Sequence, residues 1–140
     1  MMRKIMHVIK QRTNTVKPLA EMGARLIGEL RAEIETEFLE DFSLVKSEKT
    51  SLLISYLGYP IIIRVEIELK RNGESWSAPA RLVAYSVDRN TPPEETEIIA
   101  YEFDKLGNVA GRFTPSEFGA NFLFDVFNSA GEKGMVLRPN

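Results

Sequence analysis

Cysteine is absent from this chain of 140 residues, and histidine and tryptophan each occur once. Without cysteine there is no disulfide, no thiolate nucleophile and no zinc site built from cysteine clusters. The single histidine, His7, has no second histidine or spaced acidic cluster beside it, which argues against a metal site or a catalytic triad. The chain also lacks a phosphate-binding loop, a dinucleotide fingerprint and a Gly-x-Ser-x-Gly elbow. The sequence therefore favours a non-enzymatic protein with no metal or cofactor.

Long apolar runs are missing as well. No stretch approaches the roughly 18 residues that cross a bilayer, and Lys10, Gln11 and Arg12 interrupt the start before any signal-peptide cleavage site. We therefore expect a cytoplasmic protein without membrane contact. With 44% hydrophobic and 27% charged residues, the chain has the composition of a globular domain that builds its own core.

The net charge of −2 conceals an uneven distribution. Residues 1–17 contain five basic residues and no acidic residue, whereas residues 21–48 contain eight acidic residues. We assign residues 1–14 as a basic N-terminal arm and residues 15–140 as one domain. The arm is either a solvated terminus, a segment lying on the acidic stretch, or a binder of nucleic-acid phosphates. We do not expect nucleic-acid binding, because five charges without interleaved aromatic residues are a weak pattern for it.

Hydrophobic periodicity predicts an α+β fold. A helical stripe covers residues 16–36, with Thr15 as N-cap and Pro18 in the first turn. Strand patterns follow at residues 39–47, 51–57, 60–71, 74–87, 96–103 and 108–113. We expect the helix to pack on a curved antiparallel meander of five to six strands, with a second helix near the C-terminus. This order of elements is similar to that of cystatin-like and NTF2-like rolls, and the analogy implies a fold only.

A β-hairpin around Asn72 and Gly73 is the strongest local signal, because apolar and polar residues alternate on both sides of the pair. With Asn72 and Gly73 as the loop, one face pairs Leu69 with Trp76, Ile67 with Ala78, Val65 with Ala80, Ile63 with Leu82 and Ile61 with Ala84. This register predicts a core position for Trp76. It also predicts that the missing N–H of Pro79 points away from the third strand, either to an edge or to a place where the fifth strand no longer reaches.

Each face of this hairpin offers a candidate site. On the polar face the register sets Arg64 opposite Arg81, which requires compensation by Glu66 or by an external anion. We take Arg64, Arg81, Glu66 and Tyr85 as candidate ligand or anion residues, with a structural ion-pair network as the alternative. On the apolar face the small residues Ala78, Ala80 and Ala84 leave space, which either the first helix fills or a ligand pocket occupies.

The second helix has the clearest start in the chain. Residues 114–117 form a capping box, Phe113 and Phe118 form a hydrophobic staple, and the helix should end near Ser129, before Gly131. Its apolar residues spread over more than one face, so Phe122, Phe124 and Phe127 are candidate interface residues. Two explanations are left open for the apolar side chains that do not face the sheet: a homodimer contact and burial under the C-terminal tail.

Taken together, these patterns suggest a small non-enzymatic binding or interaction protein that self-associates, as a homodimer, through its aromatic C-terminal helix. The alternative is a ligand-binding or hydrolase-like roll with a pocket on the alanine-lined face. In either case the expected partner is a second copy, a small ligand or another protein.

Overall fold

A computed structural model describes residues 2–36, 42–88, 94–109 and 118–132. The elements in chain order are α1 (Met2–Thr36), β1 (Phe42–Ser47), β2 (Ser51–Tyr56), β3 (Tyr59–Ile67), β4 (Lys70–Asn72), β5 (Ser75–Ser77), β6 (Ala80–Asp88), β7 (Glu94–Phe103) and α2 (Phe118–Glu132). The predicted capping box, residue Phe113 and the stretches 89–93 and 133–140 lie outside the described residues. Within the predicted last strand, Val109 forms one isolated bridge to Phe103.

The α+β architecture predicted from the sequence is confirmed. Strands β1, β2, β3, β6 and β7 form one antiparallel sheet in the order β1-β2-β3-β6-β7, and β4 and β5 form a separate two-stranded ribbon. Both helices contribute buried side chains to the core on one face of the sheet. Those from α1 are Leu26, Ile27, Leu30 and Ile34, and those from α2 are Phe118, Phe122, Leu123 and Val126.

Helix α1 is longer than the sequence pattern predicts. It begins at Met2, about four turns before the expected start at Val16, so Thr15 is not its N-cap and Pro18 lies inside it. The basic arm is therefore a helical extension of α1. Pro18 marks no boundary here, although it has no N–H to donate to the carbonyl of Asn14.

Gly23 sets the close approach of α1 to the sheet. A Cβ atom built at this position would lie 2.8 Å from Cγ1 and 2.9 Å from Cγ2 of Val65 on β3, closer than van der Waals contact allows. The helix therefore occupies much of the space beside the small residues of β6, where Ala80 and Ala84 are buried. The alanine-lined face is filled along most of its length.

The hairpin register differs by two residues from the predicted one. The loop consists of Gly73 and Glu74, so Ile67 lies opposite Ala80 and Arg71 opposite Trp76. Gly73 has a φ of 63° while Glu74 has no positive φ, which suits a turn with glycine at its first central position. Because side chains alternate with a period of two, the shift exchanges every partner but leaves each residue on its predicted face.

Pro79 splits the hairpin into two sheets. The Glu68 N–H donates to the Pro79 carbonyl at 3.1 Å, so residue 79 faces β3. The N–H and C=O of a strand residue point to the same side, and the missing N–H of Pro79 therefore removes a bond to β3. The prediction that the missing N–H points outward, away from β3, is wrong. Trp76, beyond this break, is half-buried and not part of the core.

Candidate functional site

Four side chains predicted as a ligand or anion site come together on the outer face of the sheet. Arg81 lies directly opposite Glu66, and its Nη2 donates to Glu66 Oε1 at 2.9 Å. Arg64 lies opposite Val83, so the predicted Arg64–Arg81 pair is wrong. Arg64 forms an ion pair with Glu95 of β7, and its Cζ lies 4.7 Å from the centre of the Tyr85 ring.

Glu66 is the common acceptor in this cluster. The Tyr85 hydroxyl donates to Glu66 Oε2 at 2.5 Å, while Arg81 occupies the other carboxylate oxygen. Burial, together with the hydrogen bond to Glu66, raises the pKa of Tyr85 to about 12. The tyrosine is therefore neutral at physiological pH and acts as a hydrogen-bond donor.

The two arginines are already balanced by acidic residues. Besides its bond to Glu66, Arg81 lies 3.7 Å from Glu97. With Glu66, Glu95 and Glu97 facing Arg64 and Arg81, the cluster has three acids and two bases. An external anion would have to displace a carboxylate, so the geometry favours an ion-pair network. Such exposed pairs contribute little stability individually, typically about 0–1 kcal/mol.

The candidate interface residues of α2 separate into two groups. Phe122 is fully buried in the core, so it does not contribute to an outer surface. Phe124 is 62% exposed and Phe127 is 44% exposed. The ring of Phe127 contacts that of Tyr56 edge-on, with centroids 4.9 Å apart. Phe124, one turn away on the outward side of α2, is the most exposed phenylalanine among the described residues.

An apolar residue next to Tyr56 is held in an unfavourable conformation. Leu57 has a φ of 49° in the turn between β2 and β3, and the following Gly58 has a φ of 85°. Left-handed backbone costs a non-glycine residue about 1–2 kcal/mol, and such turns prefer asparagine or glycine at this position. Leu57 is nevertheless 50% exposed. We refer to Leu57, Phe124 and Phe127 as the apolar patch.

A groove of about 400 Å³ opens where α1 passes the ends of β6 and β7. The sequence predicted space beside the small residues of the hairpin. The groove is the part of that space that remains open; it is lined by Ala78 and Ala80 but not by Ala84. The groove is lined by Asn14, Thr15, Pro18, Leu19, Ala78, Pro79, Ala80, Glu102, Phe103, Asp104 and Lys105.

Backbone groups without partners line this groove. Because Pro79 faces β3, its neighbour Ala78 points its N–H and C=O the other way, toward the side where β7 has already ended. Within the described part of the chain, these groups of Ala78 have no hydrogen-bond partner. Across the groove, the Asn14 carbonyl receives no N–H from Pro18. The groove thus has an apolar floor and, at Ala78, an open backbone donor and acceptor.

The rim of the groove is acidic. Asp104 accepts hydrogen bonds from the N–H groups of Leu106 and Asn108, at 2.9 and 3.0 Å, and from Asn108 Nδ2 at 3.1 Å. These bonds, chiefly those from Asn108, hold the pKa of Asp104 below its usual value. Asp104 therefore stays ionised, and Glu102 is exposed beside it. Lys105 supplies one opposing charge.

Sequence reasoning missed the part of α1 that precedes Val16, and it missed the role of Leu57. Extending the helical stripe of residues 16–36 toward the N-terminus would have revealed the earlier part of α1. Ile9 lies about five helical turns before Ile27 and is therefore on the same side of the helix. The dipeptide Leu57–Gly58 carries no turn signal at its first position. The side chain of His7 lies outside the described structure.

No protein-family model, curated protein or solved structure matches this chain. The analogy with cystatin-like and NTF2-like rolls thus rests on the order of elements alone. Neither helix, within the residues that the structure describes, has a stretch long and apolar enough to span a membrane. Those same residues include no group of three or more metal-binding side chains placed to hold an ion.

Proposed function

We propose that this protein is a small non-enzymatic interaction module that self-associates through the apolar patch of Leu57, Phe124 and Phe127. The observation that carries the proposal is the exposure of Phe124, at 62%, on the side of α2 opposite its buried residues. Exposed aromatic residues are enriched at the centres of protein interfaces, and a symmetric contact between copies is the commonest oligomeric arrangement.

The conformation of Leu57 supports the same surface. A leucine in left-handed backbone reduces the stability of the monomer, and its half-exposed side chain recovers little of that cost in the isolated chain. Strained residues persist where function requires them. A second copy covering Leu57 provides the missing burial.

Light scattering tests the proposal. The wild-type protein should have at least twice the monomer mass of 15.9 kDa, and Phe124→Asp should lower the measured mass by at least half. Val45→Asp is the matched control, because Val45 is 61% exposed on the edge strand β1 and receives the same charge. A wild-type monomer, or an unchanged mass in Phe124→Asp, contradicts the proposal.

The groove beside Ala78 and Ala80 supports a second candidate function, the binding of a ligand or peptide. Its volume of about 400 Å³ is within the range of small-ligand sites, and its open backbone groups can fix an orientation. Ala78→Trp fills this space. Loss of a ligand that co-purifies with the wild type would support this function, whereas unchanged ligand binding would contradict it.

A further inference from the structure

The tip of the β4–β5 ribbon carries the one Asn-Gly pair of the chain. Seven asparagines occur in the sequence, and only Asn72 is followed by glycine. Both residues of the pair are exposed, and a Cβ atom built at Gly73 would meet nothing within 4 Å among the described atoms. The side-chain amide of Asn72 and the backbone nitrogen of Gly73 are therefore neighbours that no bulky group shields.

The ribbon around this pair is held by few contacts. Three residue pairs join β4 to β5, and the two strands form no part of the main sheet. The Arg71 Cζ lies 5.7 Å from the centre of the Trp76 ring, and Ser75 Oγ donates to the Asn72 carbonyl at 2.9 Å. Isolated two-stranded hairpins are only marginally stable in water. The ribbon can therefore open locally while the main sheet stays folded, and because α1 contacts β5, the opening moves mainly β4.

We infer that Asn72 is a site of spontaneous deamidation. The Gly73 nitrogen, after losing its proton to hydroxide, attacks the side-chain carbonyl carbon of Asn72. Glycine has no side chain to hinder this attack. A C–N bond forms, which closes a succinimide ring, and the side-chain nitrogen takes up a proton and leaves as ammonia. Water then opens the ring at either carbonyl and gives aspartate or isoaspartate, so the net reaction exchanges ammonia for water without any transfer of electrons.

The closed ribbon slows this reaction. Asn72 is the last residue of β4, and in extended backbone, with ψ of about +135°, the following nitrogen does not lie in line with Cβ. Ring closure requires rotation about the Cα–C bond of Asn72 until that nitrogen and Cβ are in line, which breaks the pairing of Asn72 with Ser75. The rate of deamidation therefore depends on how often the ribbon opens.

The isoaspartate product keeps the ribbon open. It places an additional methylene group in the main chain, so residue 72 no longer fits its position opposite Ser75. Loss of this pair separates Arg71 from the ring of Trp76, which it contacts in the closed ribbon. The modification therefore changes the structure of the ribbon as well as its charge.

Peptide mapping of the full chain after incubation at neutral pH tests the site. Cleavage after Glu68 and Glu74 releases residues 69–74, in which mass spectrometry with electron-transfer fragmentation distinguishes asparagine, aspartate and isoaspartate. Asn72 should convert at least about ten times as fast as Asn128, which is equally exposed but precedes an N–H that is bonded within α2. Equal rates at the two asparagines would overturn the inference.

Tryptophan fluorescence tests the structural consequence, because Trp76 is the only tryptophan in the chain. Its emission should shift as isoaspartate accumulates. Asn72→Asp is the matched control, since it carries the charge of the product without the additional methylene group and should retain the emission of fresh protein. An unchanged emission in converted protein would overturn the opening of the ribbon by isoaspartate.

A disulfide across the ribbon tests whether the rate depends on opening. Lys70 and Ser77 lie opposite each other and the chain has no cysteine, so Lys70→Cys and Ser77→Cys together supply one bridge that a thiol reagent can reduce. Asn72 should convert at least about fivefold more slowly in the oxidised protein than in the same protein after reduction. Equal rates in the two forms would overturn the dependence on ribbon opening.

Discussion

The ring of Phe127 stands edge-on against the ring of Tyr56, with centroids 4.9 Å apart. This contact fixes the position of α2 at the end of β2, next to the turn that holds Leu57. Phe127 is thereby anchored to the protein on one side and exposed on the other. The apolar patch is therefore supported by secondary structure and needs little reordering to bind a second copy.

Replacing Leu57 with asparagine should separate stability from association. Asparagine tolerates left-handed backbone and forms with Gly58 the pair that such turns prefer. In the Phe124→Asp protein, where patch contacts are absent, Leu57→Asn should raise the free energy of unfolding by about 1 kcal/mol, measured by urea denaturation. In the otherwise wild-type chain it should weaken self-association, measured by light scattering. A destabilised variant would show that the leucine conformation carries no strain.

Two glycines of α1 should respond to alanine in opposite directions. A Cβ at Gly23 would overlap Val65, whereas a Cβ at Gly28 meets nothing within 4 Å. Gly28→Ala should therefore stabilise the protein by up to about 1 kcal/mol through helix propensity. Gly23→Ala gains the same propensity but should be destabilised overall, since overpacking costs about 1–3 kcal/mol. Thermal unfolding of the two variants compares them, and equal stabilities would contradict the packing of α1 on β3.

Tyr85 should ionise at a higher pH than a tyrosine in an unfolded chain. Burial and the bond to Glu66 raise its pKa to about 12, so an ultraviolet absorbance titration should show one late step that Tyr85→Phe removes. In the unfolded chain a tyrosine loses its proton near pH 10. The contribution of Tyr85 to the free energy of unfolding is therefore fully present below about pH 10 and is lost as the pH rises toward about 12. Glu66→Gln should move the late step to lower pH. A step unaffected by Tyr85→Phe would contradict the assignment.

The faces of the hairpin could be predicted from the sequence, but its register could not. Alternation of apolar and polar residues fixes which side of the sheet Arg64, Glu66, Arg81 and Tyr85 occupy, and a shift of two residues preserves that assignment. Asn72 and Gly73 suggested one loop, whereas the protein uses Gly73 and Glu74 with the glycine at positive φ. The partner of Arg81 is therefore Glu66, a pairing that depends on which two residues turn.

Long-range features were harder to predict. Helical periodicity places Phe122 and Phe124 on different sides of α2, and the packing of α2 shows that the side of Phe122 is the buried one. The start of α1 was missed because Thr15 and Pro18 together resemble a helix N-terminus, although the helix continues through both. The groove depends on the meeting of α1 with the ends of two strands, which no local pattern encodes.

Isotope-filtered NMR on a mixture of labelled and unlabelled protein tests self-association through the apolar patch most directly. We expect contacts between the ring protons of Phe124 in one copy and the patch of another copy, including the methyl groups of Leu57. These contacts should vanish in Phe124→Asp and persist in the Val45→Asp control. A spectrum without any intermolecular contact at Phe124, recorded under conditions where the wild type has more than the monomer mass, would contradict self-association through the apolar patch.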